Sequence, residues 1–141
     1  MSFQPLYTAV ATVVSGREGF GETSDGEVKV NFAPPKELGG AGKAGTTNPE
    51  QLFALGWASC FGQAVRVVAG QQHIPIKDVQ VRSEVTLGKT ASGGFGLAAK
   101  LGVHVPGVDH AQAEKLLQAA HQICPYSNAT RGNIDVQLAV E

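Results

Sequence analysis

Two residues of this chain are suited to covalent chemistry, Cys60 and Cys124. Cys60 lies inside "NPEQLFALGWASCFGQAVRVVA" (Asn48 to Ala69), among aromatics and small residues with almost no charge. A thiol in such surroundings is by default an inert filler of the core. Taken alone, Cys60 reads that way. Cys124 shifts the balance, because it stands at the end of a helical pattern just before Pro125. The carbonyl end of a helix disfavours a thiolate. Cys124 is therefore a poor first nucleophile, but it could wait as SH and attack an oxidised partner. The residues alone leave two readings open: a pair of structural thiols, or a redox pair.

A redox pair needs a cation to favour the Cys60 thiolate. Arg66, on the same helical stretch, points to a different face. Arg17, in the glycine-flanked "SGREGFG" segment, is the better candidate, since a flexible loop can carry a guanidinium to a buried thiol. An exposed turn arginine is the ordinary alternative. Glu50 belongs to the first helical turn, where a carboxylate stabilises the N-terminus. It lies about ten positions before Cys60, or ~15 Å along a continuous helix, beyond the reach of a carboxylate. If Glu50 acts at a cysteine site, the helix must bend, or the site must combine Glu50 of one chain with Cys60 of another.

Other motifs carry less. His121 and Cys124, at i and i+3, could begin a metal site, but with Cys60 they make only three ligands and no short-spaced pair, so no metal is expected. "GGAGKAGTT" has Glu37 and Ala44 where a phosphate loop needs Gly and Ser or Thr, and is rejected. Gly94-Phe95-Gly96 falls inside an alternating strand pattern, which is the wrong place for a dinucleotide fingerprint.

The chain has 141 residues, 43% apolar and 16% charged, with 11 Lys+Arg against 12 Asp+Glu and a net charge of -1. It is long enough for one domain spanning 1–141 with a real core. Nothing suggests a nucleic-acid footprint. "MSFQPLYTAVATVV" has no positive n-region and is broken by Pro5, so it is not read as a signal peptide. No apolar run approaches the ~20 residues of a membrane span. A cytoplasmic protein is expected, and paired thiols in a reducing compartment tend to be catalytic or redox-sensing.

The elements that must position these residues follow from periodicity. Leu6 to Val14 is β-rich, "SGREGFGETSDGE" reads as a turn-rich loop ending in Asp25-Gly26, and Glu27 to Phe32 reads as the returning strand. A Pro/Gly loop precedes a helix capped by Asn48, with Pro49 at its first position. That helix is apolar around most of its circumference through Gln71, so it needs cover on several sides, which suggests a partner chain. Val79 to Leu87 and Phe95 to Val105 alternate as an amphipathic hairpin. Asp109 with Gln112 caps a second helix through Ile123, ended by Pro125, and Ile134 to Val140 is a last strand. The order β-β-α-β-β-α-β predicts an α+β fold, antiparallel sheets packed around a long buried central helix.

"TNPEQLFALGWASCF" (Thr47 to Phe61) and "CPYSNATRGNIDV" (Cys124 to Val136) together resemble the organic hydroperoxide resistance proteins, the Ohr branch of the Ohr/OsmC family. "SGREG" and "SDGEVKVNFAPPKELGG" fit the same pattern, so the resemblance covers essentially the whole chain. Trp57 stands where the family more often has tyrosine. The resemblance implies an OsmC-like intertwined homodimer and a thiol peroxidase reducing organic hydroperoxides. It implies Cys60 as peroxidatic thiol, Cys124 as resolving thiol, and Arg17 and Glu50 as their polar partners. It further implies no bound cofactor, and an external dithiol reductant: dihydrolipoyl groups on lipoylated proteins. The apolar residues Phe53, Trp57 and Phe61 suit a peroxide with a greasy tail. A non-catalytic redox sensor or apolar-ligand-binding protein on the same scaffold is the alternative.

Overall fold

The computed structural model describes residues 2–141. By its internal packing the chain divides into two compact units, residues 1–49 and 50–141.

The first unit is a four-stranded sheet in the order β1-β2-β3-β4, formed by β1 (Ala11–Val14), β2 (Phe20–Thr23), β3 (Lys29–Phe32) and the two-residue β4 (Thr46–Thr47). β2 falls inside the segment read from sequence as loop, and the first strand begins later than Leu6. Glycine content hides β2 from propensity, whereas pairing on both edges secures it: Val13 faces Gly21 on one side, and Gly21 faces Val30 on the other. The Asp25-Gly26 turn forms as expected, with Gly26 at φ 74 and Asp25 Oδ1 accepting from the Glu27 N–H at 3.0 Å. Few apolar side chains of this unit are enclosed. Phe32 is buried, while Phe3, Leu6, Tyr7, Val10 and Val14 stand exposed.

The second unit is built on α1 (Pro49–Gln71), which starts at the expected proline. Its 23 residues are long and apolar enough to cross a membrane by length and composition, contrary to the expectation that no such run exists. Its oily side has another use. Trp57, Phe61, Ala64, Val65, Val68 and Ala69 are buried in one core with Leu101, Val103, Leu116 and Leu117. The opposite flank, Leu55 and Val67, remains exposed.

β5 (Gln80–Lys89) and β6 (Phe95–His104) form the expected hairpin, with Ser83 opposite Leu101 and Val85 opposite Ala99. α2 (His110–Ile123) opens as read from sequence: the Gln112 N–H donates to Asp109 Oδ1 at 2.8 Å. β7 (Asp135–Val140) completes the sheet in the order β5-β6-β7. The α+β class holds, with one qualification to the antiparallel reading. Each sheet carries one parallel pair, β3 with β4 and β6 with β7, because helix-containing connections return the chain in the same direction.

The sequence reading missed α3 (Pro125–Thr130). Pro125 does end α2, but it also starts the next helix, whose first position has no use for an N–H. Cys124 is thus both the C-cap of α2 and the N-cap of α3, in extended conformation at φ -64, ψ 122.

Candidate functional site

α1 and the α2–α3 junction bring the two cysteines together. Cys124 Sγ lies 3.4 Å from Cys60 Sγ, with Cys124 as donor. Both are free thiols, Cys124 fully buried and Cys60 partly so. A disulfide has its sulfurs ~2.05 Å apart, so closure needs a movement of little more than 1 Å. Burial pushes the Cys60 thiol up from its ordinary value. The Tyr126 backbone N–H, hydrogen-bonded to the sulfur, pulls it down, and the adjacent Cys124 pushes it up again. Two thiols this close do not ionise together. The Tyr126 N–H is the first-turn donor of α3, a contribution hidden from sequence because the helix itself was missed.

Nothing in the sequence pattern marks Tyr126 as a site residue. Its ring lies edge-on to Phe53 at 5.9 Å, and Phe53 lies edge-on to Trp57 at 5.6 Å. The Tyr126 ring crosses directly over Gly56, where an added Cβ would come within 2.8 Å of the phenol oxygen. Of the aromatics expected to receive a greasy substrate, Trp57 and Phe61 are fully enclosed by the chain itself. They back the thiols as core; Phe53 and Tyr126 are the aromatics reaching outward. The Trp57 Nε1 is buried with no hydrogen-bond partner.

Glu50 sits in the first turn of α1, partly buried. Because α1 runs without interruption to Gln71, Glu50 and Cys60 remain ~15 Å apart along one helix. Arg17 belongs to the first unit, in a 3-10 turn (Gly16–Glu18) between β1 and β2. Ser15 and Gly16 both take left-handed φ there, 66 and 55. At Gly19 a Cβ would collide with the Val14 carbonyl, so this turn cannot form without glycine. Arg66 is occupied elsewhere, donating from Nη1 to the Lys77 carbonyl at 2.8 Å.

His121, three residues before Cys124, packs its ring on Phe61 with centroids 6.5 Å apart. Its Nδ1 is buried with no hydrogen-bond partner. Burial and the Arg131 charge both push its pKa below the usual imidazole value. Arg131 is held there by Nη2 donating to the His121 carbonyl and Nη1 to Asn128 Oδ1, at 2.5 and 2.7 Å. Among the described residues no three His, Cys, Asp or Glu side chains gather as metal ligands.

This arrangement brings two thiols to within a short movement of a disulfide. Comparison with known proteins identifies the family. The family profile "OsmC-like protein" matches residues 40–139. An organic hydroperoxide resistance protein of Xanthomonas axonopodis pv. citri is 50% identical over 136 residues, covering 96% of this chain and 94% of the relative. The crystal structure of an organic hydroperoxide resistance protein from Legionella pneumophila superposes with TM-score 0.91 at 49% identity, covering 98% of this chain and 99% of that one. The structure of OhrB from Bacillus subtilis gives TM-score 0.89 at 43% identity, covering 97% and 100%.

Proposed function

Because the chain belongs to the OsmC-like family, within its organic hydroperoxide resistance branch, we propose that it is a thiol peroxidase reducing organic hydroperoxides to alcohols. The observation that carries this reading is the 3.4 Å approach of the Cys124 sulfur to the Cys60 sulfur.

The Cys60 thiolate attacks the terminal oxygen of the peroxide. The O–O bond breaks, the alkoxide takes a proton and leaves as alcohol, and Cys60 becomes a sulfenic acid. Cys124 then attacks this sulfur; the S–OH bond breaks, a disulfide forms and water leaves. An external dithiol of the dihydrolipoyl type, presented by a lipoylated protein, resets the bond by two thiol exchanges and is itself oxidised to the cyclic disulfide. Arg17 supplies the cation that favours the Cys60 thiolate and holds the peroxide oxygens, and Glu50 orients the guanidinium by a forked pairing.

The working form in this proposal is an intertwined homodimer. Two observations support it. The first unit leaves Phe3, Leu6 and Tyr7 at 87%, 92% and 83% exposure, which a lone chain does not tolerate cheaply. An uninterrupted α1 also keeps Glu50 away from the Cys60 of its own helix, so sharing between chains accounts for both residues. The free thiols suit a reducing compartment, in line with a cytoplasmic location.

Steady consumption of cumene hydroperoxide with dihydrolipoamide as reductant tests the proposal. A single stoichiometric oxidation with no turnover would instead identify a redox sensor.

A further inference from the structure

We propose that His121 is the proton acceptor of the resolving step, taking the thiol proton of Cys124 as that sulfur attacks oxidised Cys60. This rests on the peroxidase reading and adds a residue to it.

The need for such a group follows from burial. Cys124 is fully enclosed, and its attacking form is the thiolate. It lies between the carbonyl end of α2 and the amide end of α3, whose opposed dipoles offset and leave no net helix field to draw the proton off. Its proton therefore has to be taken by something close, and water has no direct access.

His121 is placed for the task in three respects. It precedes Cys124 by three residues in the last turn of α2, a spacing that puts two side chains on one helix face about 5–6 Å apart between Cβ atoms. Its ring packs on Phe61 of α1, which fixes it against the core rather than leaving it free in solvent. Its Nδ1 is buried and unpartnered, although the residue as a whole is partly exposed. The Nδ1 edge of the ring thus faces the interior, in a residue that keeps some contact with solvent. A side chain so disposed can receive a proton inside and release it to solvent, directly or through one water.

The protonation state fits. Burial first, and then the charge of Arg131 from the segment after α3, oppose a positive charge on His121. His121 therefore stays neutral, ready to accept, at ordinary pH. In balance, the Cys124 proton passes to the imidazole, the S–S bond forms, hydroxide leaves Cys60, and one proton returns to make water.

The test is a single turnover of the reduced, full-length protein with one equivalent of cumene hydroperoxide. Sulfenic acid is trapped chemically to time the first step. The second is timed by disulfide formation, read by thiol counting and by fluorescence of the single, buried Trp57. The variants are His121→Gln and His121→Ala. The first step should keep its wild-type rate, which also certifies the fold. Disulfide formation should slow about 10- to 100-fold, within the usual reach of general base catalysis. Wild type should lose resolving rate as pH falls through a value below the ordinary imidazole range, a limb that both variants lack. Added imidazole should restore part of the rate in His121→Ala. Wild-type resolving rates in the variants, or an acid limb that persists in them, would overturn the assignment. If the variants do not fold, wild type alone decides, since a resolving rate flat across that acid range refutes it. Failure of wild type to form sulfenic acid at all would instead count against the peroxidase reading.

Discussion

The Cys124 sulfur stands 3.4 Å from the Cys60 sulfur although the two residues come from helices in different halves of the sequence. α1 and the α2–α3 junction hold the pair before any oxidation takes place. The consequences of that arrangement can be measured.

Cys60→Ser should abolish turnover of cumene hydroperoxide. Cys124→Ser should consume about one equivalent per site and then stall as sulfenic acid, since no second thiol is within reach. Full turnover by Cys60→Ser, assayed with dihydrolipoamide, would remove this thiol from the mechanism.

The ionisation of Cys60 should respond in opposite directions to two substitutions. The neighbouring Cys124 pushes its pKa up, so Cys124→Ala should lower it, whereas loss of the proposed cation in Arg17→Ala should raise it. The pH dependence of iodoacetamide alkylation reports both. Alkylation then reaches its thiolate plateau at lower pH in Cys124→Ala than in wild type. An unchanged profile in Arg17→Ala would dismiss that residue.

Gly56→Ala sets two effects against each other. Alanine in a helix gains about 1 kcal/mol over glycine. The new Cβ would meet the Tyr126 phenol at 2.8 Å and displace a ring whose contact with Phe53 contributes about 0.5–1.5 kcal/mol. These nearly cancel, so the thermal midpoint should move by no more than a few degrees. The KM for cumene hydroperoxide should rise more than that for tert-butyl hydroperoxide, because the aromatic substrate makes more use of the displaced ring.

Removing the cap in Asp109→Ala should cost about 1 kcal/mol, seen as a lower urea midpoint at unchanged slope, because one amide of the first turn loses its acceptor. The peroxidase rate in the folded protein should persist, since the cap lies at the end of α2 remote from Cys124.

Mixing Cys60→Ser with Glu50→Ala subunits should restore about one working site per mixed dimer if residues of two chains build each site. Absence of any rescue, with mixed dimers verified by mass, would argue for sites confined to single chains.

Much of this protein is readable without coordinates. Pro49 at the start of α1, Asp109 with Gln112 at the start of α2, the Asp25-Gly26 turn and the alternating hairpin are local signals, each set by residues within a few positions of one another. The cysteines could be nominated because their types and flanks carry meaning. Tertiary structure decided the rest. β2 exists because it pairs on both edges, despite a glycine-rich sequence. α3 exists because a proline that closes one helix can open another, which gives Cys60 the Tyr126 N–H. Whether Cys60 meets Cys124, and whether Trp57 and Phe61 face a substrate or the core, depends on packing between distant segments. Local pattern has no access to such contacts, since the free energy that fixes them comes from burying surfaces far apart in the chain.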